Sequence, residues 1–292
     1  TKNKDIFFPL KSMVWKLLWF VKNIKRISIA SLQRYDAIIV GGGQLLLPNG
    51  IFPFALLVWI KFLSLRNKNI ILFSVGTQGV YSWFENLCIS LMLRKINHIY
   101  VRDKVSQNIL KDQFNKESEI TYDSAFILNK VYKKNKKNKK NNSYRYLIGI
   151  VDYGVYKKYQ CGDLLSEDRY YEEWLSLISD HNDLNQSALI YATPEDRAES
   201  IKFKEYIYKR LNIEVDILEN NNHIFFLDNL SLGEIVVSGR MHSLIMSKAL
   251  SKQFIAYPIS DKVSSFLETI ENKNLKKIQE KLIFDFNNLF YK

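Results

Sequence analysis

Four histidines are spread through the 292 residues, and one of them, His242, stands two residues after Arg240 in the stretch VSGRMHSL (237–244). An arginine keeps its charge and grips a phosphate or carboxylate through parallel hydrogen bonds. A histidine gives or takes a proton near neutrality. The run EIVVS (234–238) precedes the pair, and a helix-like segment follows it. That places both residues at the carboxyl end of a strand, where the first turn of a helix offers unpaired N–H groups to anions. Taken alone, His242 would read as a residue that merely caps or packs. Beside an arginine at a strand end, the pair reads as a site for anion binding and proton transfer. His98 falls inside a strand-like run, and His181 and His223 fall in polar turns.

Other strand ends carry further candidates, because ligands of open α/β sheets bind where strands end. Gly41, Gly42 and Gly43 follow DAIIV (36–40), and Gly76 follows NIILFSV (69–75). Glycines there bring bare N–H groups close to an anion, or simply make a tight strand-to-helix turn. Arg102 and Asp103 follow HIYV (98–101), and Asp123 follows EITY (119–122). Arg102 is a second anion ligand, or else it pairs with Asp103 or caps the next helix. Asp103 and Asp123 are candidate proton acceptors.

These residues need a scaffold that stacks strand ends together. The β-branched, poorly alternating runs above continue in YLIGIV (146–151), SALIYA (187–192), EVDIL (214–218) and QFIAYP (253–258). Such runs read as strands buried on both faces of a parallel sheet. Helical segments alternate with them at 83–95, 195–211 and 241–250. The expected fold class is therefore α/β, with two doubly wound Rossmann-like domains. The expected boundaries are an N-terminal domain at 1–130, a Lys/Asn-rich linker at 131–143, and a C-terminal domain at 144–292 that carries a terminal amphipathic helix.

Hydrophobic residues make up 47% and charged residues 25%, which marks a folded globular chain. The net charge of +12 is partly local, since 130–146 holds eight Lys or Arg and no acid. No nucleic-acid-binding signature surrounds that block, so no nucleic acid is expected as a partner. The excess otherwise suits small anionic substrates or an anionic membrane surface. The opening segment 7–26 is amphipathic. Met13, Leu17, Phe20, Val21 and Ile24 share a face opposite Lys11, Lys22, Lys25 and Arg26, with Trp15 and Trp19 nearby. It reads as a helix packed on the sheet, or as one that also touches membrane. The run IFPFALLVWI (51–60) is too short to span a bilayer and reads as a buried helix. Cys88 and Cys161 match no metal or redox spacing, and no metal site is expected.

Taken in order, the strand ends resemble those of the polysaccharide pyruvyl transferase family. The matching pieces are YDAIIVGGGQLL (35–46), LFSVGTQG (72–79), YVRDKVSQNIL (100–110), TYDSAF (121–126), VSGRMHSLIMSKAL (237–250) and IAYPISDK (255–262). The resemblance implies a fold similar to the GT-B glycosyltransferases, with the active site in the interdomain cleft. It implies transfer of pyruvate from phosphoenolpyruvate onto two hydroxyls of a sugar, giving a cyclic ketal, with no cofactor. The setting it implies is bacterial surface polysaccharide synthesis, such as capsule, on the cytoplasmic side, with a sugar acceptor that is free or lipid-linked. Arg240 and Arg102 would hold the donor anion, His242 would protonate its enol carbon, and Asp103 or Asp123 would take an acceptor proton. Lys262 would add charge near the donor phosphate. The family usually opens with a strand and a short Asn-x-Gly-Asp loop, and neither is in this sequence, so the chain is expected to lack its natural start. Where the family often has Asp-Pro, this chain has Asp123-Ser124.

Two other functions compete. A GT-B glycosyltransferase using a nucleotide sugar needs the same fold and anion ligand, but no acidic residue for a nucleotide ribose stands out. A degenerate, non-catalytic binding member of the family is the other, and the intact Arg240 and His242 argue against it.

Overall fold

The β-branched runs pair as strands in a computed structural model of the chain, which describes residues 8–132, 144–159, 163–220, 222–270 and 273–290. The chain divides into two compact units, Thr1–Ser124 with Glu280–Lys292, and Ala125–Gln279.

The first unit runs α1 (Phe8–Leu32), β1 (Ile38–Gly41), β2 (Gln44–Leu46), α2 (Ile51–Leu63), β3 (Ile70–Thr77), α3 (Trp83–Leu93), β4 (His98–Val101), α4 (Lys104–Phe114) and β5 (Glu119–Ile120). Its strands pair in the order β1-β3-β4-β5, all parallel, with β2 also pairing β3. Every residue of β3 is buried, which explains why Ile70–Thr77 shows no alternation in sequence. Ile70, Leu72 and Val75 pack with Ile89, Met92 and Leu93 of α3.

The second unit begins inside a 3-10 turn over Ser124–Ile127, which leads into α5 (Leu128–Val131). It continues with β6 (Tyr144–Gly149), α6 (Tyr153–Tyr159), α7 (Glu167–Ser176), a 3-10 turn over His181–Gln186, β7 (Ser187–Leu189), α8 (Pro194–Leu211) and β8 (Asp216–Ile217). Then come α9 (His223–Leu230), β9 (Gly233–Ser238), α10 (Met241–Ala249), β10 (Gln253–Ala256), α11 (Asp261–Ile270) and α12 (Leu275–Asn288). The parallel order is β10-β9-β6-β7-β8. The chain leaves β6 toward β7 and later returns to its other side at β9. The carboxyl ends of β6 and β9 therefore flank the topological switch point, the usual ligand crevice of such sheets.

The fold class is α/β with parallel sheets, as expected from the strand runs. The boundaries differ from the expected ones. Phe126 stacks on Phe266 with ring centroids 6.3 Å apart, which ties the chain from Ala125 onward to the second unit. The residues from Glu280 group with the first unit, where the Phe286 ring meets Phe73 edge-on at 5.6 Å. The linker expected at 131–143 lies, from residue 133 onward, outside the described residues.

α1 also differs from its expected arrangement. Trp19 and Phe20 pack against Phe54 and Phe62 of α2, and Ile27 is fully buried. Leu17 and Val21, expected on the packed face, point to solvent. Apolar residues therefore occupy both sides of the helix. Among the described residues, no helix is long and apolar enough to cross a membrane.

Candidate functional site

In the second unit, β9 ends at Ser238 and the chain turns at Gly239. A Cβ there would lie 2.9 Å from Val151 and 3.2 Å from both Ile259 and the Tyr257 carbonyl, so only glycine fits. Arg240 follows with extended backbone as the cap residue of α10. Its Nε and Nη2 donate to Oδ2 and Oδ1 of Asp196 at 3.0 and 2.6 Å. Asp196 is 1% exposed, whereas the Arg240 side chain remains 28% exposed. The pair is thus bidentate, with a buried carboxylate anchoring a guanidinium that still reaches solvent. It uses Nε and Nη2 and leaves Nη1 to an incoming group.

Asp196 is itself fixed by α8. Thr193 and Pro194 form that helix's start, and the Thr193 hydroxyl accepts the Asp196 N–H at 3.2 Å. Oδ1 of Asp196 also accepts the N–H of Asp152, just past β6, at 3.1 Å. One turn on, the buried Glu199 accepts the Tyr153 N–H at 3.2 Å and the Tyr171 hydroxyl at 2.5 Å. Burial first and this carboxylate second push the Tyr171 phenol far above its ordinary range. Two carboxylates of α8 therefore lock the turn after β6 against the arginine after β9. Sequence reading missed both. The signal available was the Thr-Pro helix start, which puts Asp196 in the first turn directly after a strand.

His242 lies in the first turn of α10. Its neighbours Ser243, Leu244 and Ile245 are buried, while its own side chain is exposed. The helix thus holds the imidazole out of the core, two residues from the anchored arginine.

The first unit gathers the remaining candidates other than Lys262 at its own strand ends. Gly42 and Gly43 have φ values of +83° and +66°, which other residues rarely adopt. The Gly42 N–H donates to the Phe73 carbonyl and the Gly76 N–H to the Gly43 carbonyl, at 3.2 and 2.9 Å. The three glycines let the chain jump from β1 to β2 along the same neighbour, β3. The expected strand-to-helix turn is instead a strand-to-strand one, and the N–H groups of Gly42 and Gly76 are already bonded within the protein.

Gly76 has a second role, because a Cβ at that position would stand 2.7 Å from Nε of Arg102. Arg102 is 5% exposed and donates from Nη1 to Asp123 at 2.8 Å. Its Nε lies 3.6 Å from Asp103, beyond hydrogen-bond range, and among the described residues neither Nε nor Nη2 has a hydrogen-bond partner. A buried guanidinium with two unused donors is costly unless something meets them. Asp103 caps α4, accepting the Ser106 N–H at 2.6 Å. Asp123 is 6% exposed. Next to it, the Ser124 N–H donates to the buried Ser74 hydroxyl at 2.8 Å. Ser74 has φ +60° at a bulge in β3, a strained conformation for serine that sequence does not reveal.

The candidates thus fall into two groups. The glycines, Arg102, Asp103 and Asp123 come together in the first unit, and Arg240 and His242 in the second. Lys262 belongs to α11, but its side chain lies outside the described residues. Among the described residues, no three His, Cys, Asp or Glu side chains are grouped to hold a metal ion.

A family model described as polysaccharide pyruvyl transferase matches residues 2–261. Among curated proteins, none matches the chain. Among solved structures, a UDP-forming α,α-trehalose-phosphate synthase from Burkholderia xenovorans is similar at a TM-score of 0.41 and 10% identity, covering 87% of this chain and 70% of that one. An α,α-trehalose 6-phosphate synthase from Burkholderia multivorans is similar at a TM-score of 0.39 and 8% identity, covering 89% of this chain and 68% of that one.

Proposed function

Because the chain belongs to the polysaccharide pyruvyl transferase family, we propose that it moves the pyruvyl group of phosphoenolpyruvate onto two hydroxyls of a sugar in a surface polysaccharide, forming a cyclic ketal. The observation that carries this reading is Arg240 at the switch point of the second sheet, clamped by Asp196, with His242 exposed in the first turn of α10.

The chemistry follows from the donor's structure. Phosphoenolpyruvate carries a phosphate and a carboxylate, so it needs fixed positive charge. Arg240 supplies that charge through its open Nη1. In the first unit, the buried Arg102 is a further candidate anion ligand, supported by Nε and Nη2 that have no hydrogen-bond partner among the described residues. His242 gives a proton to the terminal enol carbon, which becomes a methyl group and leaves the adjacent carbon electrophilic. A first sugar hydroxyl attacks that carbon and loses its proton. A second hydroxyl then attacks the same carbon as the bond to the phosphate oxygen breaks, so inorganic phosphate departs and the ketal closes. Asp103 or Asp123 accepts an acceptor proton. A positioned acid of this kind contributes roughly 10²–10⁴-fold.

The test is phosphate release from phosphoenolpyruvate in the presence of lysate glycolipids, with mass analysis of the glycan product. The expected result is acceptor-dependent phosphate release and a glycan heavier by a pyruvyl ketal. A product carrying a new sugar from a nucleotide sugar, with phosphoenolpyruvate untouched, would overturn the proposal.

A further inference from the structure

α1 packs only one of its sides. Trp19, Phe20 and Ile27 face α2 and the core. On the other side, Trp15, Leu17, Leu18, Val21, Ile29 and Leu32 are each more than half exposed. At 100° per residue these six fall within one arc, and Lys22 and Lys25 lie inside the same arc. From Phe8 to Leu32 the helix carries five Lys or Arg and no acidic residue. On the packed side, Lys16 Nζ sits 3.8 Å from the centre of the Phe84 ring of α3.

We propose that this outward face of α1 docks on an anionic lipid surface. Monomeric proteins in water rarely leave so much contiguous apolar area uncovered. A face that mixes bulky apolar side chains with lysines suits the boundary between lipid headgroups and acyl chains. There tryptophans insert their ring bodies while their N–H groups stay wet. Acidic headgroups meet the lysines. A second copy of the chain is the poorer occupant. A two-fold interface sets a patch against itself, which would bring Lys22 and Lys25 against their own counterparts with no acid from α1 to offset them. The helix would lie in the surface and not cross it.

Vesicle flotation at low salt tests the proposal, comparing pure phosphatidylcholine with a mixture of phosphatidylcholine and phosphatidylglycerol. The full chain floats with the mixed vesicles, and added salt weakens the association. Lys22→Glu with Lys25→Glu lowers the partition coefficient by at least about tenfold, as does Trp15→Ser with Leu18→Ser. These side chains are exposed, so circular dichroism and phosphate release on a soluble acceptor stay as in the parent protein. Equal flotation with neutral vesicles would overturn the idea. So would absent flotation together with a concentration-dependent dimer that Leu18→Ser dissolves.

Discussion

Arg240 and His242 divide their work by the kind of charge each carries. Arginine holds an anion in ground state and transition state alike, whereas an imidazole that delivers a proton acts in the transition state. His242→Gln is expected to lower kcat by roughly 100-fold or more, with KM for phosphoenolpyruvate little changed. A His242→Gln enzyme with normal kcat would make the residue a helix-start side chain and nothing more. Asp196 acts through Arg240. Asp196→Asn keeps the volume but removes the buried charge that orients the guanidinium, so kcat/KM should fall by on the order of tenfold to a hundredfold. The stability loss should be smaller than the roughly 3–5 kcal/mol of a fully buried broken pair, because Arg240 is 28% exposed. Thermal melts and steady-state kinetics on the same sample separate the two effects. Arg240 and His242 were legible in sequence because they stand two residues apart after an obvious strand. Asp196 was not, because its partner lies 44 residues away and only the sheet brings them together.

At the scale of elements, the long strand runs were legible from Val and Ile content, and HIYV is β4 from end to end. β2 was missed because it holds only three residues and follows three glycines, which read as a turn. The placement of Gly76 shows how one element makes room for another. Gly76→Ala sets a methyl 2.7 Å from Arg102 Nε and forces the guanidinium away from Asp123. The expected cost is roughly 1–3 kcal/mol, read as a lower melting temperature, and Arg102→Ala should remove much of it, since contacting residues do not act additively. If Gly76→Ala melts like the parent, Arg102 is loosely held.

The tyrosines give a second test at this scale. Tyr170, with Tyr156 at 4.7 Å and Tyr257 at 5.8 Å, forms an aromatic layer in the second unit. Burial raises the phenols of Tyr170, Tyr171 and Tyr257, and in the first unit it pushes Tyr81 up to about 12. A phenol whose folded value is raised favours the neutral form. Its stabilisation is complete below the unfolded value of 10.0 and is lost as pH rises toward and through the folded value. An absorbance titration should show these buried tyrosines ionising only as circular dichroism reports unfolding. Smooth ionisation of all 17 tyrosines in a folded protein would contradict the packing.

For the whole molecule, the two-part α/β plan followed from alternating strand and helix runs. The division after Ser124 did not, because no change in composition marks it and ring contacts such as Phe126 with Phe266 decide it. The return of Glu280–Lys292 to the first unit was equally silent, since an amphipathic tail does not say which core it serves. In the proposed reaction one donor molecule needs a proton on carbon and two attacking hydroxyls. Running the reaction in deuterium oxide and taking the mass spectrum of the product tests that claim most directly. The account predicts a ketal whose methyl group carries a single deuterium from solvent, because the enol carbon must be protonated once before the ring closes. A glycan that retains the carbon–carbon double bond, or one with no solvent deuterium in its methyl group, would contradict it.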